Sequence, residues 1–285
     1  MKVVRAEQAG ACYGVQRALD LAFQAVASGG RACTLGPLIH NPRVVDRLSA
    51  EGVRAVASTE DAQAGETVII RSHGVTPAVK RRVEERGLPL VDATCPHVAR
   101  AQKAAASLAR AGMHVVVVGE AGHPEVEGIH ACACEACGDA ARVSVVAAPE
   151  DLPEGLREPV GVVVQTTQTR AALDAVIAQL RARGIEPVVK DTICFATRQR
   201  QEAAAALAEH VDAFVVIGGR NSSNTTRLAD ICRARCARTH HVEDASELDP
   251  AWFAGCAVVG VTAGASTPED QIAAVEAALA ALPCA

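Results

Sequence analysis

Cys12, Cys95 and Cys194 lie far apart in the chain but share one local setting. Each ends an extended segment ("AEQAGAC", "PLVDATC", "VVKDTIC"), and each precedes a helix-forming run. The dipole at a helix start favours the thiolate, which is the form of cysteine that binds metal. Three thiolates underfill a structural zinc site but suit a cubane [4Fe-4S] cluster with one iron left open. An open iron can act on a substrate oxygen as a Lewis acid while the cluster delivers electrons. The competing reading is three buried cysteines serving as small apolar residues. Their repeat-matched positions argue against it.

The residues downstream repeat as well. Glycines follow at 36, 119 and 218, a step of 24 from Cys12, Cys95 and Cys194 in each case. Four positions beyond each glycine stands a polar group: His40, His123 and Ser222. A third strand in each unit ends in a polar loop, with His73 in "RSHG", Thr166 in "QTTQ" and Ser266 in "AGAST". The histidines supply donors. Ser222, Ser223 and Asn224 occupy a Gly-rich strand-to-helix turn, whose amides and helix start favour an anion. Together they describe a phosphate or diphosphate pocket. Taken singly, Ser222 reads as a helix cap and His73 as a turn residue. Glu125, beside His123 in "GHPEVEG", is a candidate proton donor or a solvated loop carboxylate.

The elements that must position these groups are α/β. "VIIRSHG", "HVVVVGE", "GVVVQTT", "FVVIGG" and "AVVGVTAG" read as strands buried on both faces, the mark of parallel sheets. Between them, "CYGVQRALDLAFQAV", "TRAALDAVIAQLRARG" and "TPEDQIAAVEAALAAL" carry helical spacing, the last two opening on Thr as N-cap. A threefold repeat of one supersecondary unit follows, with units over 1–94, 95–193 and 194–285. In parallel α/β sheets ligands bind beyond the carboxyl ends of the strands, where these polar residues fall.

Composition narrows the function. The chain has 285 residues, 49% hydrophobic and 21% charged, with a net charge of −5. Without a basic footprint or many aromatics, nucleic acid is not an expected partner. No apolar stretch has membrane-spanning length, and the N-terminal run lacks a signal-peptide layout. Eleven cysteines, an odd number, fit a reducing cytoplasm better than a disulfide framework. The densest cysteine run, "HACACEACGD" with His130, Cys132, Cys134 and Cys137, reads as a variable loop outside the repeat positions. A structural zinc or a reversible disulfide there stays open.

The motifs "GACYGV", "GPLIHNP", "SHGV", "DATCP", "GHPEVEG", "QTT", "ICFATRQRQ", "NSSN" and "AGASTPE" run in order from residue 10 to residue 269. In this set the chain closely resembles the 4-hydroxy-3-methylbut-2-enyl diphosphate reductases. The resemblance implies a cloverleaf of three α/β units around a central [4Fe-4S] cluster. It implies reductive removal of the substrate hydroxyl with two electrons and two protons, giving isopentenyl and dimethylallyl diphosphates. On it, Cys12, Cys95 and Cys194 match the cluster ligands. His40, His73, His123, Ser222, Ser223, Asn224 and Ser266 match the diphosphate pocket. Glu125 matches the proton-delivering glutamate, and Thr166 the hydroxyl that binds and relays at the substrate alcohol. A ferredoxin or flavodoxin is implied as electron donor. The chain departs from the family at Ala11, usually Phe, and after "GHPEVEG", which leaves room for a divergent paralogue. An iron–sulfur hydro-lyase is the alternative that keeps the cluster without net reduction.

Overall fold

The computed structural model describes residues 1–27 and 29–282. Its elements, in chain order, are β1 (Lys2–Arg5), α1 (Tyr13–Val26), β2 (Ala32–Leu35), α2 (Pro42–Ala50), β3 (Val53–Val56), β4 (Thr67–Ile70), α3 (Pro77–Glu85) and β5 (Leu90–Asp92). There follow α4 (Pro96–Arg110), β6 (His114–Val118), α5 (Pro124–Cys137), β7 (Val143–Val146), β8 (Val160–Val164), α6 (Arg170–Ala182) and β9 (Val188–Lys190). The last are α7 (Phe195–Ala208), β10 (Ala213–Ile217), α8 (Ser223–Arg233), β11 (Thr239–Val242), β12 (Val258–Ala263) and α9 (Glu269–Ala280).

Among the described residues the strands form three four-stranded sheets, ordered β3-β2-β4-β5, β7-β6-β8-β9 and β11-β10-β12-β1. Every pairing is parallel. The central strands β6, β8 and β10 are buried at every position, because helices cover both faces; apart from His114, which bonds Ser144 Oγ at 2.8 Å, they hold only Val, Ile, Phe, Ala and Gly. Edge strands are shorter or only partly buried, as Val53–Val56 and Val143–Val146 are, with buried ends and less buried middles.

The three orders are one topology repeated, with a single difference. Lys2–Arg5 pairs with Val258–Val261, so the first strand lies in the last sheet. It fills there the edge position that β5 and β9 fill in theirs. The sequence reading grouped it with residues 1–94; its hydrogen bonds run to β12 instead, in parallel register from Lys2–Val258 to Arg5–Val261. Contacts separate two compact units, one of Met1–Gln16, His40–Val44 and the chain from Phe195, the other of Arg17–Ile39 and Val45–Cys194.

Two further expectations change. The segment holding His130, Cys132, Cys134 and Cys137 is the end of helix α5, not a loop. Val126, Ile129 and Ala133 form its buried stripe, the alanines and Glu135 favour helix, and Gly138 ends it at a left-handed φ of 68°. Thr267 does not cap α9; its hydroxyl donates to the Ile217 carbonyl, and Pro268 takes the cap position. Thr169 does cap α6, accepting from the Ala172 amide.

Candidate functional site

The three repeat-matched cysteines have one backbone environment. Each stands between an edge strand (β1, β5 or β9) and the helix that follows (α1, α4 or α7). The Cys12 amide donates to the Ala265 carbonyl at 3.1 Å, Cys95 to Ser72 at 2.9 Å, and Cys194 to Thr166 at 3.0 Å. Those acceptors lie in the loops just past β12, β4 and β8. Each bond therefore fixes a cysteine within one residue of a predicted substrate group: Ser266, His73 and Thr166. The glycines match too, with Gly36, Gly119 and Gly218 each donating to the last residue of the neighbouring strand, Val56, Val146 and Val242.

The donor chemistry at these positions suits a thiolate-bound metal cluster. Cys12, Cys95 and Cys194 form no disulfide and are only half-buried, each just before a helix. Cys33 and Cys232 are buried, and burial pushes their thiols up to about 11 and about 12, so they serve as apolar packing. Burial also raises Cys132 and Cys134, and Cys134 packs with Cys137 against the core under α5.

In the unit holding Cys95 and Cys194, Glu125 and Thr166 form the tightest polar contact. Glu125 is 2% exposed in the first turn of α5. One carboxylate oxygen accepts from the Thr166 amide at 2.6 Å and the other from its hydroxyl at 2.9 Å. His123 caps the same helix, its Nδ1 accepting from the Glu125 amide at 3.1 Å. That bond leaves the ring proton on Nε2, making this nitrogen a donor. The His73 ring meets the His123 ring edge-on, with centroids 5.6 Å apart. Buried Gln165 accepts from the Glu120 amide at 3.0 Å and ties the loop before α5 to the end of β8.

In the unit holding Cys12, the loop of Gly218, Gly219 and Ser222–Asn224 runs from β10 into α8. Gly218 has φ +141°, and a Cβ there would lie 2.6 Å from Thr267 Oγ1, so only glycine permits the approach. Ser222 does cap α8, accepting from the Thr225 amide at 3.4 Å. Ser223 opens the helix, half-buried. Asn224 is 4% exposed, and neither its Nδ2 nor its Oδ1 has a partner among the described residues. A buried amide left unmatched costs about 1–3 kcal/mol, which a ligand at the helix start would recover. His241 donates from Nε2 to the Gly218 carbonyl at 2.8 Å and holds the turn from β11.

Ser266 donates to the His40 carbonyl at 3.0 Å, bringing those two predicted residues together. Asn41, which sequence reasoning passed over, fixes both. Its Nδ2 donates to the Ser266 carbonyl at 2.9 Å and to Gln271 at 3.0 Å, while its Oδ1 accepts from the Val44 amide. Asn followed by Pro at a helix start was the available signal.

A family model described as LytB protein matches residues 3–280. The 4-hydroxy-3-methylbut-2-enyl diphosphate reductase of Citrifermentans bemidjiense is 49% identical over 284 residues, covering 97% of this chain and 98% of that protein. The same-named protein of Geobacter sulfurreducens is 48% identical over 272 residues, covering 94% and 93%. Among solved structures, an (E)-4-hydroxy-3-methyl-but-2-enyl diphosphate reductase, the terminal enzyme of the non-mevalonate pathway, superposes with a TM-score of 0.71 at 43% identity, over 98% of this chain and 99% of that one. The E-1-hydroxy-2-methyl-but-2-enyl-4-diphosphate reductase of Plasmodium falciparum shares the fold, with a TM-score of 0.90 at 23% identity over 99% and 89%.

Proposed function

The chain belongs to the LytB protein family, and on that premise we propose that it reduces 4-hydroxy-3-methylbut-2-enyl diphosphate. The allylic C–O bond breaks, two electrons and two protons are taken up, and water leaves with isopentenyl or dimethylallyl diphosphate as product. The relatives are named as reductases, so the hydro-lyase alternative is not favoured.

Members of the family are iron–sulfur proteins. We assign Cys12, Cys95 and Cys194 as ligands of a [4Fe-4S] cluster with one open iron. When bound, such a cluster supplies electrons one at a time and a Lewis acid for the departing oxygen. The chain's own residues bind the anion and handle the protons. His40, His73, His123, Ser222, Ser223, Asn224 and Ser266 hold the diphosphate, with His123 Nε2 and the α8 start as donors. Thr166 presents its hydroxyl to the substrate alcohol. Glu125, locked on Thr166 through both oxygens, holds the proton that passes along that hydroxyl as water departs. A ferredoxin or flavodoxin brings the electrons, and a reducing cytoplasm keeps the ligand thiols reduced. No helix among the described residues is long and apolar enough to cross a membrane.

The observation that carries this reading is the continuous run Glu125–Thr166–Cys194, in which proton donor, relay hydroxyl and metal ligand are joined by three hydrogen bonds. The experiment is anaerobic purification with an iron and sulfide count, followed by product analysis with a reduced dye. A colourless protein holding zinc and giving no five-carbon product would refute the assignment.

A further inference from the structure

A cleft of about 460 Å³ opens at the carboxyl ends of β2 and β4, in the sheet ordered β3-β2-β4-β5. The strand order reverses between β2 and β4, which is where open α/β sheets bind ligands. None of the residues assigned above to substrate or cluster lines it. Leu35, Val75 and Val79 make apolar walls, and Arg71 enters from the end of β4.

The charges in the cleft do not balance. At the rim, Arg82 pairs with Glu60 at 2.9 Å, and Arg82 holds that carboxyl down at about 2. Ser58 spends its hydroxyl on Asp61 at 2.9 Å. Arg71, half-buried, has no carboxylate within 4.0 Å among the described residues; its Nε makes one long bond, 3.4 Å, to the Gly74 carbonyl. Burial lowers its pKa, and Glu127 acts on it only from farther off. Gly36, at φ +74°, makes room for the guanidinium: a Cβ there would sit 2.6 Å from Arg71 Nη1. The fold thus clears space for a guanidinium at the end of an apolar cleft and leaves its charge unmatched. A planar guanidinium fork takes a carboxylate or phosphate bidentately.

We propose that this cleft is a second ligand site, for a small amphiphilic anion whose carboxylate or phosphate head sits on Arg71 and whose hydrocarbon chain lies against Leu35, Val75 and Val79. This rests on the cleft alone and stands or falls apart from the reductase assignment. Occupancy bears on the turn that carries His73, since the Gly74 amide closes that turn on the Arg71 carbonyl at 2.9 Å.

Calorimetric titration of the cluster-loaded, oxidised protein tests it, with inorganic diphosphate present throughout to fill the substrate's anion pocket. The probes are octyl phosphate, octanoate and inorganic phosphate. One of the two amphiphiles is expected to bind at one site per chain, about tenfold or more tighter than inorganic phosphate, and which one binds identifies the head group. Arg71→Gln should weaken it about tenfold or more. So should Ala78→Glu, on the exposed face of α3 at the cleft wall, with melting temperature and turnover unchanged. Absence of heat with both amphiphiles, equal affinity in both variants, or loss of binding as diphosphate saturates would each overturn the proposal.

Discussion

Glu125 has the least solvent and the most specific partner of the acidic groups near the assigned site, since Thr166 engages both its oxygens. Glu125→Gln keeps the shape and removes the proton. We expect kcat to fall about 10²–10⁴-fold with KM little changed, the size usual for a positioned general acid. Thr166→Val should lower kcat similarly and Thr166→Ser should restore it, because the proposed relay needs only the hydroxyl. A drop in KM with unchanged kcat would contradict these roles. Asn224 makes a different demand. Its buried amide has no partner among the described residues, so Asn224→Ala should raise KM about 10- to 100-fold, the worth of one bond to a charged group, while melting temperature holds or rises. At this scale the candidate groups stood out in the sequence because their types recur at matched offsets from each cysteine. Asn41 and His241 escaped because they act on backbone carbonyls across loops, which no local pattern records.

Helix α5 shows how an element can mislead when composition is read without periodicity. Its cysteines read as a variable loop, yet Val126, Ile129 and Ala133 keep a helical stripe through them. Cys134 and Cys137 pack on the core beside it. The joint change of Cys132, Cys134 and Cys137 to Ser should leave iron content and turnover unchanged while lowering the melting temperature, since half-buried sulfur gives way to hydroxyl. Loss of iron in that variant would return the cysteine run to the catalytic account. The strands were the easier elements. Runs such as "HVVVV" and "FVVI" have apolar residues on both faces, and the structure buries all of them between helices. The placement of β1 was not legible, because pairing of the first strand with the last is a contact of the greatest sequence separation and leaves no local trace.

Across the whole molecule, the same repeat appears three times, and its cyclic offset explains why cysteines mark the passages from one sheet to the next helix. The molecule also carries histidines that folding keeps neutral. Burial lowers the pKa of His114 and of His241, and each ring bonds through Nε2, to Ser144 Oγ and to the Gly218 carbonyl. The unfolded chain takes up these protons near the ordinary value of 6.5, above the folded-state values. Their contribution to stability is therefore complete above that pH and is lost as pH falls through the lowered values. Melting temperature should decline below about pH 6.5, and His114→Gln should flatten the decline. A melting temperature that stays level or rises toward pH 5 would contradict this.

The most direct test of the central claim is the electron balance of turnover. Anaerobic, cluster-loaded protein would be supplied with 4-hydroxy-3-methylbut-2-enyl diphosphate and a known amount of reduced dye. Dye oxidation and five-carbon products would then be counted together. Reductive dehydroxylation predicts two electrons consumed for each isopentenyl or dimethylallyl diphosphate formed. Product formation without dye oxidation, or dye oxidation without these products, would contradict it.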